Sequence, residues 1–239
     1  MTTYEKVMAL LAEPMGWLLS FLYDLIGNYG ITLIIFTLFV RGCLFPLYAA
    51  QIKSSARMKD VQPKMQALQK KYANDKETLN IKMMELYKEE KFNPMSGCLP
   101  MLIQMPIILA LFVLLRNPIV FISDPQMLMG VHESFFWIPD LSQPDPWLLP
   151  IAAGIATFFS FSMTQAMNPT ADMGSTAAMM KMMKYFFPIM IVWMGRSFPA
   201  GLALYWFIGT LFMIYQTVGM KKWQAKKKTA GKKAVKSNA

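Results

Sequence analysis

Arg41 lies inside a long apolar run, Tyr29-Gly-Ile-Thr-Leu-Ile-Ile-Phe-Thr-Leu-Phe-Val-Arg-Gly-Cys-Leu-Phe-Pro-Leu47. A guanidinium cannot shed its proton to escape such surroundings, because its pKa is above about 12. Placing it near the centre of a bilayer costs at least about 2.5–3.5 kcal/mol. None of the apolar runs of this chain contains an Asp or Glu. Water, hydroxyls and amides are left to solvate the charge. The residue therefore calls for a wet, positively charged cavity inside a membrane protein. The competing reading is that Arg41 snorkels to the nearer headgroups and does nothing else.

Composition agrees with a membrane chain. Hydrophobic residues make up 55% and charged residues 16% of the sequence, and the mean hydropathy is +0.33. Apolar runs long enough to cross a bilayer place spans at 29–50, 97–116, 147–166, 180–196 and 200–219. The break before the last is supplied by Arg196-Ser-Phe-Pro-Ala-Gly201. The fold class is then all-α: a polytopic membrane protein with five transmembrane helices.

The net charge of +10 could suggest nucleic acid, but its distribution argues otherwise. Ten of the 24 Lys and Arg fall in Gln51–Ser96 and eight in Gly219–Ala239, flanking apolar spans. The segment 117–146 has none. By the positive-inside rule the basic segments are cytoplasmic, 117–146 is outside, and the chain runs N-out, C-in. The short segment 167–179 falls inside, and Arg196 falls outside as an exception.

Residues 1–28 place Val7, Leu10, Leu11, Pro14, Leu18, Phe21, Leu22 and Leu25 at helical spacing, with Glu5, Lys6, Glu13 and Asp24 off that stripe. This reads as an amphipathic helix in the outer interface. A signal peptide is the rival, but a basic start and a small-residue cleavage site are both missing. In 51–96, Met58, Val61, Met65, Leu68 and Tyr72 form one narrow apolar seam and Leu79, Met83 and Leu86 a second, with a turn at Asn74-Asp75. Two helices zipped along these seams make a cytoplasmic hairpin, with Pro63 a kink or helix start. The Lys-rich tail within 220–239 has the composition of a disordered segment.

The candidate groove residues are Arg41, Thr37, Gln104, Thr157, Ser160, Gln165 and Trp206. Thr37 is one turn from Arg41, where its hydroxyl could hydrate the cavity. Gln104 and Gln165 carry amides that are costly to face lipid. Thr157, Ser160, Thr164 and Gln165 share one helical stripe. A single Ser or Thr more often bonds its own helix. Tyr205 suits an aromatic belt, and Trp206 either that belt or the cavity wall. His132 is the only histidine, and Cys43 and Cys98 are the only cysteines. The spans thus offer no metal cluster and no nucleophile–base pair. The chain is not read as an enzyme, and no cofactor is implied. A channel or secondary transporter for a small anion is the alternative; broken half-helices or paired repeats would mark it.

Together these segments resemble the YidC family of membrane protein insertases, from about Gly30 to Trp223. Val40-Arg-Gly-Cys-Leu-Phe-Pro-Leu47 is similar to the family's first core span with its arginine. Gln62-Pro-Lys-Met-Gln-Ala-Leu68 and Met84-Glu-Leu-Tyr-Lys88 resemble its cytoplasmic hairpin. Asn93-Pro-Met-Ser-Gly-Cys-Leu-Pro-Met-Leu-Ile-Gln-Met-Pro-Ile107 resembles the entry to the second span, and Phe198-Pro-Ala-Gly-Leu-Ala-Leu-Tyr-Trp206 the last. The resemblance implies a five-helix core in a bacterial inner membrane, with a groove open to cytoplasm and lipid and closed outside. It makes Arg41 the groove's charge and Gln165 and Trp206 further lining positions. It implies a short form without a large extracytoplasmic domain. The implied partners are nascent membrane proteins, the ribosome through hairpin and tail (nucleic acid only as ribosomal RNA), a Sec translocon, and lipid.

Overall fold

The computed structural model describes residues 3–90, 99–122, 124–167 and 174–237, with side-chain surroundings for 9–50, 61–90, 104–122, 124–166 and 181–223. Asn93–Gly97, Cys98 and residues 168–173 of the expected 167–179 segment lie outside the described residues, whereas 174–179 already belong to a helix; the side chains of the tail beyond 223 lie outside them too. The described backbone is helical apart from turns and one isolated bridge, Phe135 with Ile138. The chain is a polytopic, all-helical membrane protein.

The helices are α1 (Thr3–Ile26), α2 (Tyr29–Cys43), α3 (Phe45–Lys71), α4 (Lys76–Glu89), α5 (Leu99–Arg116), α6 (Pro118–Phe121), α7 (Pro125–Gly130), α8 (Leu148–Met167), α9 (Gly174–Gly195) and α10 (Ala200–Ser237). Three contain stretches long and apolar enough to cross a membrane: Ala9–Ile26, Leu148–Ala166 and Ala200–Trp223. Tyr29–Cys43 and Gln104–Arg116 are shorter apolar helices. The N-terminal helix, expected to lie in the interface, is thus also apolar over a crossing length. Its packing partners are α2, α5, α6 and α7.

Several boundaries differ from the sequence reading for identifiable reasons. The first apolar run does not continue as one helix to residue 50; it breaks at Leu44, and α3 starts with a proline in its first turn. Pro46 has no N–H to give to the preceding turn, so the ladder restarts there. Pro63 neither starts nor ends a helix, since α3 runs through it to Lys71. α10 continues to Ser237, helical where the tail composition suggested disorder; Lys and Ala are good helix formers.

The hairpin forms as its seams require. Val61, Met65 and Leu86 are buried together, with Leu68, Met83 and Tyr87 packed on them. Lys64 and Glu90 pair across the two helices. Asp75 ends the turn by accepting a bond from the Thr78 N–H at 3.0 Å, and those bonds hold its carboxyl below the usual carboxylate range.

The main core sits at the opposite end, called here the loop end. Leu19, Leu33, Phe36, Leu111, Leu114, Ile122, Met127, Leu141 and Leu149 are fully buried there, gathered from α1, α2, α5, the 117–147 segment and α8. Between α1 and α2, Gly27 takes φ +66, a conformation that a side chain would strain. Elsewhere, α8 packs most extensively on α9 and α10. Gly154 permits the first contact: a Cβ there would lie 2.4 Å from the Val192 side chain. Small residues that let backbones approach are what drives helix association where burial from water does not.

The 117–147 segment is built on carboxylates that cap and staple. Glu133 accepts from the Tyr23 hydroxyl at 2.5 Å and from the Tyr29 N–H at 2.7 Å. It thereby caps α2 and fixes the α1–α2 corner. Asp145 accepts from the Trp147 and Leu148 N–H groups at 2.9 and 3.0 Å, starting α8, and from Trp137 Nε1 at 2.7 Å. Asp140 is bonded by Ser142 and His132. Burial would raise its pKa, but those bonds outweigh it and hold the carboxyl below its usual value. Gly201 and Ala200 donate N–H bonds of 2.9 Å to the Leu141 and Gln143 carbonyls, so the segment also seats the start of α10.

Candidate functional site

Arg41 stands in the last turn of α2 and points at α10. Its guanidinium lies against Gly209: a Cβ on that residue would be 2.7 Å from Nη2 and 3.0 Å from Nε. Only a residue without a side chain leaves the cation its place. Arg41 Nε is buried and has no hydrogen-bond partner among the described residues. A buried donor on a charged group left unpaired costs more than the roughly 1–3 kcal/mol of a neutral one. Among the described residues, the phenols of Tyr48 and Tyr205 lie near enough to interact with the guanidinium. No described carboxylate is within ion-pairing distance of it.

Those phenols are held by further polar groups. The Tyr48 and Thr217 hydroxyls are 2.5 Å apart. The Thr217 hydroxyl donates to the Met213 carbonyl at 2.8 Å, so the Tyr48 hydroxyl donates a hydrogen bond to Thr217 Oγ1. Gln104 Nε2 donates to the Tyr205 hydroxyl at 3.2 Å. Tyr205, expected in an aromatic belt, is instead buried to 1% exposure, with its ring 6.4 Å from that of Phe36. Its ring belongs to the core and its hydroxyl to the Arg41 cluster.

Trp206 and Thr157 meet on another face of α10. Trp206 Nε1 donates to the Thr157 hydroxyl at 3.1 Å, and Thr157 donates to the Ala153 carbonyl at 2.7 Å. Ser160 is buried one turn further along α8, and its carbonyl accepts from Thr164. Gln165 is half-buried near the end of that helix. Adjacent residues on a helix point about 100° apart. Tyr205 and Trp206 therefore serve two neighbouring faces, one toward Arg41 and one toward α8. Trp206 also lines a small apolar cavity with Ile108, Pro150, Ala153, Ile191 and Phe198. Thr37 is fully buried and bonds the Leu33 carbonyl at 2.6 Å. Its proton is committed to its own helix.

Residues 21–228 match the family described as 60Kd inner membrane protein. This chain belongs to that family. Among similar members, the membrane protein insertase YidC of Stutzerimonas stutzeri (strain A1501) is 40% identical over 217 residues, 90% of this chain and 36% of that protein. The YidC of Shewanella loihica (strain ATCC BAA-1088 / PV-4) is 43% identical over 207 residues, 86% of this chain and 36% of that protein. The chain thus spans about a third of the length of the curated relatives it matches. A crystal structure of an active YidC insertase with its first transmembrane domain resolved superimposes with a TM-score of 0.59 at 30% identity. That match covers 92% of this chain and 47% of the other. Of the residues singled out in the sequence, Gln104 meets Tyr205 beside Arg41 and Thr157 meets Trp206, whereas the places of Tyr48, Tyr205, Thr217 and Gly209 around the guanidinium were not anticipated. Tyr48 carried a signal, lying seven residues, or two turns, beyond Arg41.

Proposed function

We propose that this chain is a membrane protein insertase, acting without ATP hydrolysis and without a catalytic residue. The observation that carries the reading is the cation at Arg41: an α2 guanidinium seated on Gly209, with Nε unpaired among the described residues and the phenols of Tyr48 and Tyr205 near it. Such a group attracts the acidic or polar flank of a nascent segment entering from the hairpin end, in surroundings where charge is weakly screened. Admitting that flank part-way shortens the apolar layer left to cross. The apolar part of the guest then passes into lipid past α8 and α10. Its burial supplies the drive, at roughly 25 cal/mol per Å².

In this reading α2 with the start of α3, α5, α8, α9 and α10 are the five spans, and the hairpin and tail face the cytoplasm. α1 lies in the outer interface, and the termini are N-out, C-in. The packing of α1 on loop-end elements supports its place, as does the position of Glu13 and Asp24 beside Asp124 around one cavity of about 480 Å³. Thr37, Ser160 and Gln165 belong to the groove wall with Gln104, Thr157 and Trp206. Nascent chains, the ribosome and a Sec translocon are the proposed partners.

Arg41→Ala should lower insertion of an acidic-tailed single-span substrate into proteoliposomes by about tenfold, equivalent to about 1.4 kcal/mol. Arg41→Lys should retain more activity than Ala. Unimpaired insertion by Arg41→Ala would remove the electrostatic account. Saturable uptake of a small anion without insertion would favour a transporter instead.

A further inference from the structure

Arg196 is a cation that the insertase reading does not use. It stands at the loop end, where residues 117–146 contain no Lys or Arg. It forms the turn between α9 and α10, and its guanidinium carbon lies 3.9 Å from the centre of the Trp147 ring. A guanidinium over an indole is shielded on that face and keeps its in-plane N–H donors free for an anion. Among the described residues no carboxylate lies within ion-pairing distance of Arg196. Asp145, two residues before Trp147, is buried and already takes three N–H donors.

The surroundings identify the missing anion. Trp147 is 54% exposed, and Trp193, one turn before Arg196 on α9, is 71% exposed. The exposed apolar strip continues from Trp147 along α8 through Leu148, Ile151, Ile155 and Phe159. Spacings of three and four put these on one face, exposed and apolar as a lipid-facing surface requires. Beside its upper end the loop holds out Phe136 and Trp137, with Trp137 latched to Asp145. Phe136 has φ 52, a strained value for a bulky side chain. The Phe135–Ile138 bridge keeps it there. Strain that turns an aromatic outward suits a loop resting in the interfacial layer of a membrane, where such rings are favoured.

We propose that Arg196 and Trp147 bind the phosphate of a membrane phospholipid, whose acyl chains run along the exposed strip of α8. Phe136, Trp137 and Trp193 rest in the same layer. Charge complementarity selects the phosphate, and continuity with the lipid face selects a lipid as its source. The bound lipid ties the start of α8 to the end of α9. These ends already meet closely: a Cβ on Gly195 would lie 3.1 Å from Pro150. Pro150 and Gly195 also line the apolar cavity beside Trp206, so the lipid braces the loop-end wall of that cavity. This site does not depend on the insertase reading.

The test is native mass spectrometry of the purified full chain in detergent titrated with phosphatidylglycerol. The wild-type chain should retain about one phospholipid more than Arg196→Gln, because that variant removes the charge-assisted bonds. Trp147→Leu, which keeps the charge but loses its platform, should retain less lipid than wild type. Glycerol 3-phosphate in large excess should leave the lipid in place. Equal retention by wild type and both variants, at unchanged helical circular dichroism, would overturn the site. Displacement by glycerol 3-phosphate would overturn the lipid as its occupant and assign it to a soluble phosphate.

Discussion

The two polar centres of this molecule are resolved in opposite ways. At the loop end the carboxylate Glu133 has both oxygens bonded, to Tyr23 and to the α2 N-terminus. In the middle of the bundle the guanidinium of Arg41 keeps a buried donor with no partner. The first charge stitches three parts of the chain together, α1, α2 and the 117–147 segment, and is finished. The second is unfinished among the described residues, and a group with a donor to spare is suited to receiving a guest. A closed end and a receptive middle are what the proposed insertase, with its groove open on one side, requires.

The sharpest break of that contrast is Glu133→Ala. It leaves the Tyr23 hydroxyl and the Tyr29 N–H unpaired, and should destabilise the chain in detergent by about 2–4 kcal/mol in thermal unfolding. A change below experimental error would mean that water closes this end as well as the carboxylate does.

Next is Gly209→Ala. The new methyl occupies the seat of the guanidinium, so the cation has to move away from α10. Insertion of acidic-tailed substrates should fall about threefold to tenfold, while a substrate with a neutral tail should be much less affected. Equal loss for both substrates would show that the glycine serves helix packing rather than the charge.

The smallest effect concerns an exception inside the packed half. The Tyr29 ring is fully buried, and its hydroxyl, like Arg41 Nε, has no partner. Tyr29→Phe removes that orphan and should leave stability unchanged or raise it by up to about 1 kcal/mol. A loss of more than 1 kcal/mol in the same unfolding measurement would show that the hydroxyl is bonded, and would weaken the parallel drawn with Arg41.

The parts of this architecture legible in the sequence were those encoded locally. Apolar run length gave the helices of the bundle, and the seam of Val61, Met65 and Leu86 gave the hairpin because helical periodicity is a short-range signal. That Arg41 needs polar company followed from solvation alone. Its surroundings did not. Gly209 is 168 positions away from Arg41 and Glu133 is 104 away from Tyr29, and nothing in either residue's neighbourhood announces the partner. Tyr205 was misplaced because a Tyr near a span end has two physically sound destinations, belt or core, and only tertiary packing chooses. Thr37 illustrates the converse: its spacing from Arg41 was right, but its hydroxyl found the nearer Leu33 carbonyl first. The break at Leu44 was written in Pro46, yet the surrounding hydropathy masked it.

The central claim is that the neighbourhood of Arg41 is wetted from the hairpin end and sealed from the loop end. Thr210 adjoins Gly209 on α10 and is buried; with Cys43 and Cys98 replaced by serine, Thr210→Cys places a single thiol there. In oriented membrane vesicles, a charged, membrane-impermeant maleimide should label it from the side bearing the hairpin and not from the side bearing the 117–147 loop. A thiol that stays unlabelled from the hairpin side, or reacts from the loop side, contradicts the account.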